Sequence, residues 1–506
     1  MIEARPPPAP GSAQELDAFR RLQRGLPALY RRIFADDRLP RTVVVVPSLT
    51  LDPDTLAKID GVVHYEERML CLLLLLRLPA TQVVYVTSMP VDRAVVDYYL
   101  RLVGLPRARD RLVMLSLGDP SMRPLTAKVV TSPDGVERIR RAIAHPDAAH
   151  MTVFAATPLE RTLAVRLGIP MYATDPEHAR YGTKTGSREV MEEAGVRVPS
   201  GSSGLRDEHD VLEAVIELKT RLPLTRKVVV KLNEGFSGEG NATVDLTGAS
   251  SSDDLRRWVR GRMAEEITFE AEGETWDRFR AKIREMGAIV EEYVDGPHKR
   301  SPSIQARIDP VGRPEIVSTH DQILGGPTGQ VFLGCTFPAD PAYVGEITEA
   351  GRRVAELLAR RGVIGRFGVD FVSVRRSGRW HHYGLEINLR KGGTTSPYLL
   401  LQFLTGGSYD AESGRFVVED AELVYRASDN VQRSEYRGIT PGRLLAETAA
   451  DQFRTTARGG IAFQLMGPLP SHGKVGMMAV AGDQGAARER FDRAVSVLDR
   501  VAATEG

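Results

Sequence analysis

Three polar side chains with strand-like spacing mark the stretch HHYGLEINLRKGG, residues 381–393. Glu386, Asn388 and Arg390 follow one another at every second position. Because successive side chains of a strand point to opposite faces, these residues are predicted to share one face with Gly384. The opposite face is predicted to hold Leu385, Ile387 and Leu389. A row with a carboxylate, an amide and a guanidinium is suited to holding a charged ligand.

A second acidic residue, Asp370, lies in the preceding strand-like stretch RFGVDFVSV. Asp370, Glu386 and Asn388 offer three oxygen ligands from adjacent strands, and Mg²⁺ takes oxygen ligands that it shares with nucleotide phosphates. Arg390, on the same face, can bind a phosphoryl group or a carboxylate through two hydrogen bonds. The alternative interpretation is an exposed strand face that carries a surface ion pair.

A glycine-rich loop follows Lys231 between two strand-like runs, RKVVVKL and NATVDL. Its members are Gly235, Ser237, Gly238 and Gly240. Glycines allow backbone N–H groups to close around phosphate oxygens, and a nearby lysine adds a positive charge. The loop matches neither a Walker A motif nor a dinucleotide fingerprint. The pattern therefore favours a flexible hairpin lid over phosphates, with an ordinary glycine-rich turn as the alternative.

Two further residues, His382 and Cys335, are interpreted as structural. His381 and His382 are adjacent, so on a strand they face opposite sides and cannot bind one metal together. His382 is predicted to share the face of Glu386 but to have a structural role. Cys335, in the apolar stretch FLGCTFP, is interpreted as a buried, unreactive thiol.

The overall composition narrows the class of protein. The 506 residues are too many for one core and predict about three or four domains or subdomains. The formal net charge of +1 gives no support for nucleic acid or an anionic membrane as a partner. Two distant cysteines, Cys71 and Cys335, argue against a disulfide framework and fit a reducing compartment. The apolar run MLCLLLLLRLP is too short to span a bilayer, and a buried helix in a cytoplasmic protein is expected.

Strand and helix signals alternate over residues 41–180, which predicts a parallel, Rossmann-like sheet. No G-x-G-x-x-G follows its first strand, so a dinucleotide site there is weakly supported. From Tyr181 onward the pattern changes to strand pairs, including a hairpin at Asp309–Gly312 and a turn at Ser377–Gly378.

Taken in order, these pieces resemble the ATP-grasp superfamily. The shared features are a lysine before a helix, a strand lysine with a glycine loop, an acidic hinge strand, a VDF strand and a final E-x-N-x-R strand. As a whole chain, the sequence resembles bacterial peptide ligases of the pheganomycin type. The resemblance implies an α/β and α+β fold, with a Rossmann-like N-terminal parallel sheet, an ATP-grasp core of two α+β subdomains and a small C-terminal domain. The implied divisions are a disordered lead (1–15), a Rossmann-like pre-ATP-grasp domain (16–180), a lid subdomain (181–300), a metal-binding subdomain (301–408) and a C-terminal domain (409–506).

The resemblance also implies a role for each matching position. The basic residues that contact ATP phosphates correspond to Lys184 and Lys231. The lid loop corresponds to Gly235, Ser237, Gly238 and Gly240. The hinge strand, which recognises adenine through its backbone and an acidic side chain, corresponds to Glu291, Glu292, Tyr293 and Val294. The Mg²⁺ ligands correspond to Asp370, Glu386 and Asn388, and the arginine near the acyl phosphate corresponds to Arg390.

One feature departs from the superfamily pattern. Many members place an acidic, ribose-binding residue soon after the hinge, whereas this chain reads GPHKRSPSIQ over residues 296–305 and has no carboxylate there. Lys299, Ser301 or Ser303 would then have to take that role, so ribose recognition differs from the common pattern.

The resemblance implies an ATP-dependent carboxylate–amine ligase that forms an amide, such as a peptide bond, through an acyl phosphate. The expected cofactors are ATP and Mg²⁺, with two ions for which Mn²⁺ can substitute. The expected partners are a small-molecule carboxylate and an amine, such as amino acids or peptides, without nucleic acid or membrane, and a homodimer is left open. The alternatives are an ATP-grasp enzyme with a thiol acceptor or a carboxylation reaction, a non-catalytic nucleotide-binding protein, and a nicotinamide oxidoreductase.

Overall fold

The structure is a computed structural model that describes residues 7–51, 56–235, 240–249, 254–325, 329, 331–454 and 459–504. Two predicted lid residues, Ser237 and Gly238, lie outside these described residues. Within the described part of the chain, no helix is both long and apolar enough to cross a bilayer.

The N-terminal region holds a parallel sheet of four strands in the order β3-β2-β1-β4. Its strands are β1 (Arg41–Val46), β2 (Thr81–Thr87), β3 (Leu112–Ser116) and β4 (Ala149–Val153). Its α-helices are Ala13–Ala35, Arg93–Val103, Leu125–Thr131, Gly135–Ala142 and Pro158–Leu167. All six residues of β1 are buried, as expected for a valine-rich strand covered on both faces. The predicted Rossmann-like sheet is confirmed.

The leucine-rich run of this region lies in a 3₁₀ helix, Val62–Arg77, which is buried from Met69 to Leu74. The prediction of a buried helix is confirmed. Further 3₁₀ helices are Ala108–Arg111, Pro146–Ala148, Pro176–Gly182 and Ser434–Tyr436.

The first helix begins at Ala13, inside the stretch assigned to a disordered lead. Ser12 caps it by accepting a hydrogen bond from the backbone of Glu15. Glu15 is itself buried, and its carboxylate accepts a hydrogen bond from Thr162. These contacts anchor residues 13–15 to the N-terminal sheet region.

An antiparallel sheet of five strands follows, in the order β5-β9-β6-β7-β8. The strands are β5 (Gly201–Leu205), β6 (Lys227–Leu232), β7 (Asn241–Asp245), β8 (Ile267–Phe269) and β9 (Ala288–Glu292). The helices of this part of the chain are Lys184–Glu193, Glu208–Arg221, Asp254–Glu266 and Trp276–Met286. The apolar faces of the last three pack on the sheet around Val230 and Val290.

A larger sheet of nine strands runs in the order β10-β14-β11-β12-β13-β19-β21-β20, with β15 also paired to β14. Its first members are β10 (Lys299–Arg300), β11 (Pro302–Ile308), β12 (Pro314–Gly325), β13 (Val331–Phe337), β14 (Gly365–Arg376) and β15 (Arg379–Asn388). A small sheet is formed by β16 (Ser408–Asp410), β17 (Arg415–Val418) and β18 (Ala421–Glu422). The remaining members of the large sheet are β19 (Val424–Gln432), β20 (Gly460–Leu465) and β21 (Lys474–Ala481). The helices are Val344–Arg360, Thr395–Thr405, Pro441–Glu447, Leu469–His472 and Gln484–Ala503.

The predicted division at residue 408 therefore falls within one continuous sheet, because β19, β20 and β21 extend the sheet that holds β14 and β15. The two predicted turns are present. Gly312 donates its backbone N–H to the carbonyl of Asp309 in the β11–β12 hairpin. Ser377 and Gly378, with φ of 49° and 80°, make the tight turn between β14 and β15.

Candidate active site

The pairing of β14 with β15 brings the predicted oxygen ligands together. Asp370 lies directly opposite Glu386, and Gly368 lies opposite Asn388. The Asn388 Nδ2 atom donates to Asp370 Oδ2 at 2.9 Å, and Gln322 Nε2 on β12 donates to Asp370 Oδ1 at 2.8 Å. Two neighbouring amides therefore orient the Asp370 carboxylate.

A bulge changes the face of one stretch of β15. The register shifts between Asp370 and Phe371, so that Leu385 is the extra residue on β15. Gly384 consequently faces the helical side of the sheet, where an added Cβ would lie 2.4 Å from Met191 Sδ. Leu385 lines the same cavity as Glu386. The predicted faces of Gly384 and Leu385 were therefore wrong, because simple alternation does not continue through a bulge.

The predicted face of His382 was wrong for the same reason. Its Nδ1 atom lies 2.7 Å from Ser373 Oγ, and its Nε2 atom lies 3.4 Å from Glu346 Oε2 on the helix Val344–Arg360. His382 therefore packs on the face opposite Glu386 and takes no part in the cavity.

The two carboxylates have different electrostatic environments. Burial and, after it, the nearby Glu386 charge raise the pKa of Asp370 to about 7 against the opposing charges of Arg390 and Lys184. Burial also acts to raise the pKa of Glu386. The positive charges of Lys184, Arg390 and Lys231 together outweigh that effect and leave the pKa lowered. Lys184 Nζ lies 2.5 Å from Glu386 Oε1.

The donor set fits a Mg²⁺ ion. Asp370, Glu386 and Asn388 present two carboxylates and an amide at neighbouring positions, and a divalent cation would offset the repulsion between the two acids. The described residues contain no cluster of three or more His, Cys, Asp or Glu side chains placed to bind a metal. Protein ligands this few suit an ion that completes its shell with phosphate oxygens and water.

Lys184 is the first residue of the helix Lys184–Glu193. Thr183 caps this helix by accepting from the backbone of Gly186. The backbone N–H of Lys184 donates to the carbonyl of Asn233 at 3.0 Å, just beyond β6. The helix start is thereby tied to the strand that carries Lys231, which brings both lysines to one cavity.

The base of the glycine loop is closed tightly. The backbone N–H of Leu232 donates to the carbonyl of Gly240 at 2.9 Å. A Cβ on Gly235 would lie 3.3 Å from the backbone of Gly240, so the two glycines allow this close approach.

The acidic side chains of the hinge are engaged within the protein. Glu291 is buried, with Oε2 at 2.6 Å from Lys231 Nζ and Oε1 at 3.2 Å from Arg188 NH1. The Glu292 carboxylate accepts from the backbone of Ser200. Val294, after the end of β9, joins a small apolar cluster. The other members of that cluster are Val372, Val374, Tyr383 and Leu385.

This apolar cluster was missed by the sequence reasoning, although the alternation in FVSV gave a signal for Val372 and Val374. An apolar wall next to the hinge suits a flat aromatic base.

One cavity of about 470 Å³ collects most of the predicted site. It is lined by the predicted residues Lys184, Lys231, Gly235, Gly240, Asp370, Glu386, Asn388 and Arg390. The four hinge residues 291–294 do not line it. Among the candidates for the ribose, Ser301 and Ser303 line the cavity. Lys299 does not, since its Nζ lies 4.2 Å from the centre of the Tyr293 ring.

Other lining residues were not predicted. They come from the N-terminal region and from the strands β19 and β21, and include Tyr65, Arg68, Asp429, Gln432 and Lys474. No motif in the sequence marks them, because they meet only in the folded chain.

Comparison with known proteins indicates the same superfamily as the sequence does. A family model described as IQCH-like, ATP-grasp matches residues 176–266 and 262–412. The L-propargylglycine–L-glutamate ligase of Streptantibioticus cattleyicolor is 35% identical over 449 residues, which cover 85% of this chain and 88% of that enzyme.

Two solved structures show the same fold at low sequence identity. N5-carboxyaminoimidazole ribonucleotide synthetase, in its ADP complex, is 11% identical with a TM-score of 0.53, over 91% of this chain and 98% of that chain. The biotin carboxylase domain dimer of Hydrogenobacter thermophilus 2-oxoglutarate carboxylase, solved with magnesium ADP and bicarbonate, is 14% identical with a TM-score of 0.54, over 90% and 89%. The predicted fold class and the predicted superfamily are confirmed.

Proposed function

We propose that this chain, which belongs to the ATP-grasp family of ligases, joins a carboxylate to an amine in a reaction driven by ATP. A carboxylate oxygen attacks the γ-phosphorus, and the bond between that phosphorus and ADP breaks, which leaves an acyl phosphate. The amine nitrogen then attacks the acyl carbon and loses a proton. The carbon–oxygen bond to phosphate breaks, phosphate leaves with the electron pair, and an amide remains.

One observation carries the proposal. Two carboxylates, an amide, an arginine and two lysines from separate elements all line the same cavity. Lys231 comes from the five-stranded sheet, Lys184 from a helix start, and the other four from β14, β15 and the residues just after β15. A surface ion pair would not need this convergence of buried charges.

The positively charged residues of the cavity have different proposed roles. Lys184 and Lys231 place ammonium groups where phosphate oxygens can be held. Arg390, half-buried and next to the end of β15, donates to the Lys391 carbonyl through NH1 at 3.1 Å. Its planar guanidinium is placed to stabilise negative charge on the acyl phosphate and on the tetrahedral intermediate.

Asp370, Glu386 and Asn388 would hold the metal. When bound, Mg²⁺ neutralises charge that develops on the β and γ oxygens of ATP. We infer two such ions and expect Mn²⁺ to replace them. The ion pair of Glu386 with Lys184 keeps this acid ionised and available as a ligand.

The cavity must also exclude water, because an acyl phosphate otherwise hydrolyses. The described ends of the β6–β7 hairpin, including Lys231, Gly235, Gly240 and Asn241, line the cavity together with Asp370. We infer that this hairpin covers the phosphates during the reaction.

The proposed class of substrate is based on one relative. The Streptantibioticus relative is named for the ligation of two amino acids, L-propargylglycine and L-glutamate. We propose that this chain also takes amino acids or peptides as acid and amine. Cys71 and Cys335 are both free and buried, which fits the cytoplasmic location that we propose. The domain boundaries and a homodimer stay predictions.

The test is phosphate release from ATP and Mg²⁺ with pooled amino acids and short peptides, followed by mass spectrometry of the products. We expect phosphate release matched by a product whose mass equals the two substrates minus water. A thioester or a carboxylated product would point instead to a different acceptor. Nucleotide binding without turnover in any pool would favour a non-catalytic binding protein.

A further inference from the structure

The cavity extends beyond the nucleotide residues to a second end that is rich in positive charge. We call it the substrate end, and it is formed by Tyr65, Arg68, Asp429 and Lys474. Tyr65 and Arg68 lie in the 3₁₀ helix Val62–Arg77, Asp429 lies on β19, and Lys474 begins β21. Two regions outside the ATP-grasp core therefore build this end together.

Arg68 is held rigidly at the substrate end. Its guanidinium carbon lies 4.9 Å from the centre of the Tyr65 ring and 5.0 Å from the centre of the Phe154 ring. The residue is 7% exposed, and its NH2 atom lies 3.5 Å from Asp429 Oδ2. Two aromatic rings thus fix the plane of a guanidinium, and a pre-oriented planar fork is well suited to a carboxylate.

Lys474 brings a second buried cation. The residue is 6% exposed, and its Nζ atom donates to the hydroxyl of Tyr65 at 2.8 Å. Among the residues that the structure describes, Lys474 forms no ion pair within 4.0 Å. An ammonium group that is buried beside a neutral hydroxyl is costly unless an anion is also bound there.

The other charges on this side do not offset the excess. Asp60 also lines the cavity, and its Oδ2 atom accepts from Gln432 Nε2 at 2.9 Å. Lys58 adds a further lysine to the lining. Arg68 and Arg390 line the same cavity. The substrate end is therefore a cationic pocket beside the arginine of the proposed acyl phosphate.

We propose that Arg68 and Lys474 bind the carboxylate of the amine substrate. The amine substrate is then an α-amino acid, or a peptide with a free carboxylate, and its amino group points towards Arg390. Asp429 orients Arg68, and Tyr65 orients Lys474. This inference rests on the proposed ligase function and adds the class of acceptor and the residues that select it.

A binding experiment tests the inference independently of catalysis. Proteinogenic L-amino acids and their α-carboxamides are titrated calorimetrically into the protein with ADP and Mg²⁺. We expect one or more acids to bind and the matching carboxamide to bind about 10–100-fold more weakly, the range for one charge-assisted hydrogen bond. Lys474→Met should weaken binding of the acid and leave little discrimination against the carboxamide. Equal affinity of acid and carboxamide for the wild-type protein would overturn the proposal, as would the absence of binding.

A kinetic experiment separates this inference from the ligase proposal. Hydroxylamine replaces the amine substrate and traps the acyl phosphate as a hydroxamate, so this assay reports on the first half-reaction alone. In the complete, amide-forming reaction, Lys474→Met should raise KM for the acceptor amino acid about 10–100-fold, with a much smaller effect on KM for ATP. A wild-type protein that makes neither hydroxamate nor amide would refute the ligase function, while the calorimetric result would still decide the carboxylate site.

The substitutions are chosen so that the variants still fold. Met fits the path of the Lys474 stem without its charge, and Arg68→Lys keeps the charge at the second position but removes the planar fork. Arg488→Gln, at a side chain that is 73% exposed on the last helix, is the matched control for removal of one positive charge. An increase in acceptor KM in this control equal to that in Lys474→Met would refute a specific site.

Discussion

The two ends of the cavity are built in different ways. The nucleotide end takes Asp370, Glu386, Asn388 and Arg390 from paired strands joined by a tight turn, within one short stretch of chain. The substrate end joins residues from opposite ends of the chain, since Tyr65 and Lys474 are 409 positions apart. The β14–β15 residues proposed for phosphoryl transfer are thus local in sequence and only the two lysines reach them from other elements, whereas the whole end proposed to choose the acceptor depends on packing between regions.

The two ends also differ in charge balance. At the nucleotide end, Lys184 pairs with Glu386 and Lys231 pairs with Glu291. At the substrate end, Lys474 faces a hydroxyl and Arg68 has Asp429 only at 3.5 Å. The charges of the nucleotide end are therefore paired within the protein, whereas the positive charge of the substrate end is left for a bound anion to balance.

The largest expected effect is at the nucleotide end. Glu386→Gln keeps the shape of the side chain but removes the negative charge that a metal ion requires, so phosphate release should fall about 10³-fold or more. Glu349→Gln, on the exposed side of the helix Val344–Arg360, is the control and should keep wild-type turnover. Ordinary turnover in Glu386→Gln would remove this residue from the metal site.

Arg390 tests whether geometry matters as much as charge at the nucleotide end. Arg390→Lys keeps the positive charge but loses the planar fork, so kcat should fall about 10²-fold. The measurement is the rate of hydroxamate formation at saturating ATP and Mg²⁺. Full activity with lysine would mean that Arg390 supplies only a point charge.

The buried contact between β12 and β19 should respond to acid. His320 on β12 is buried, with Nε2 at 2.8 Å from the hydroxyl of Tyr425 on β19, and burial lowers its pKa to about 3. The unfolded chain, with a histidine pKa of about 6.5, binds a proton between these values and the folded chain does not. Stability is therefore lost as the pH falls below about 6.5, and His320 should contribute a loss of roughly 2 kcal/mol between pH 7 and pH 5.

The measurement is urea unfolding of wild type and His320→Gln at both pH values. The variant keeps a polar side chain but cannot titrate, so its loss between pH 7 and pH 5 should be smaller by that amount. Identical losses in the two proteins would show that His320 does not contribute to the acid sensitivity.

The smallest expected effect concerns the support of a metal ligand. Gln322→Leu removes the hydrogen bond that orients Asp370 but leaves every proposed ligand in place. The Mg²⁺ concentration for half-maximal rate should rise about 10-fold, because partners that orient a ligand tune metal affinity. An unchanged Mg²⁺ dependence would show that Asn388 alone is enough to hold Asp370.

Much of the nucleotide end could be predicted because its signals are local. The alternation of Glu386, Asn388 and Arg390 and the short turn before them are properties of neighbouring residues. The bulge at Leu385 could not be predicted, because simple alternation gives no sign of it, and the close approach of Gly384 to Met191 appears only in the folded chain. The ion pairs of Glu291 with Lys231 and Arg188 could not be predicted from the sequence either, since the three residues lie on different elements.

The sequence by itself determined which residue types are proposed for phosphoryl transfer and the order in which they occur, because strand periodicity and turn chemistry act over a few residues. Only the tertiary structure decided which charges are paired, where the strand bulges and what stands at the substrate end. Those features depend on which surfaces meet when β19, β20 and β21 join the large sheet and the 3₁₀ helix Val62–Arg77 packs against β20. Burial of apolar surface brings Arg68, Asp429 and Lys474 together, and it leaves no local motif in the sequence.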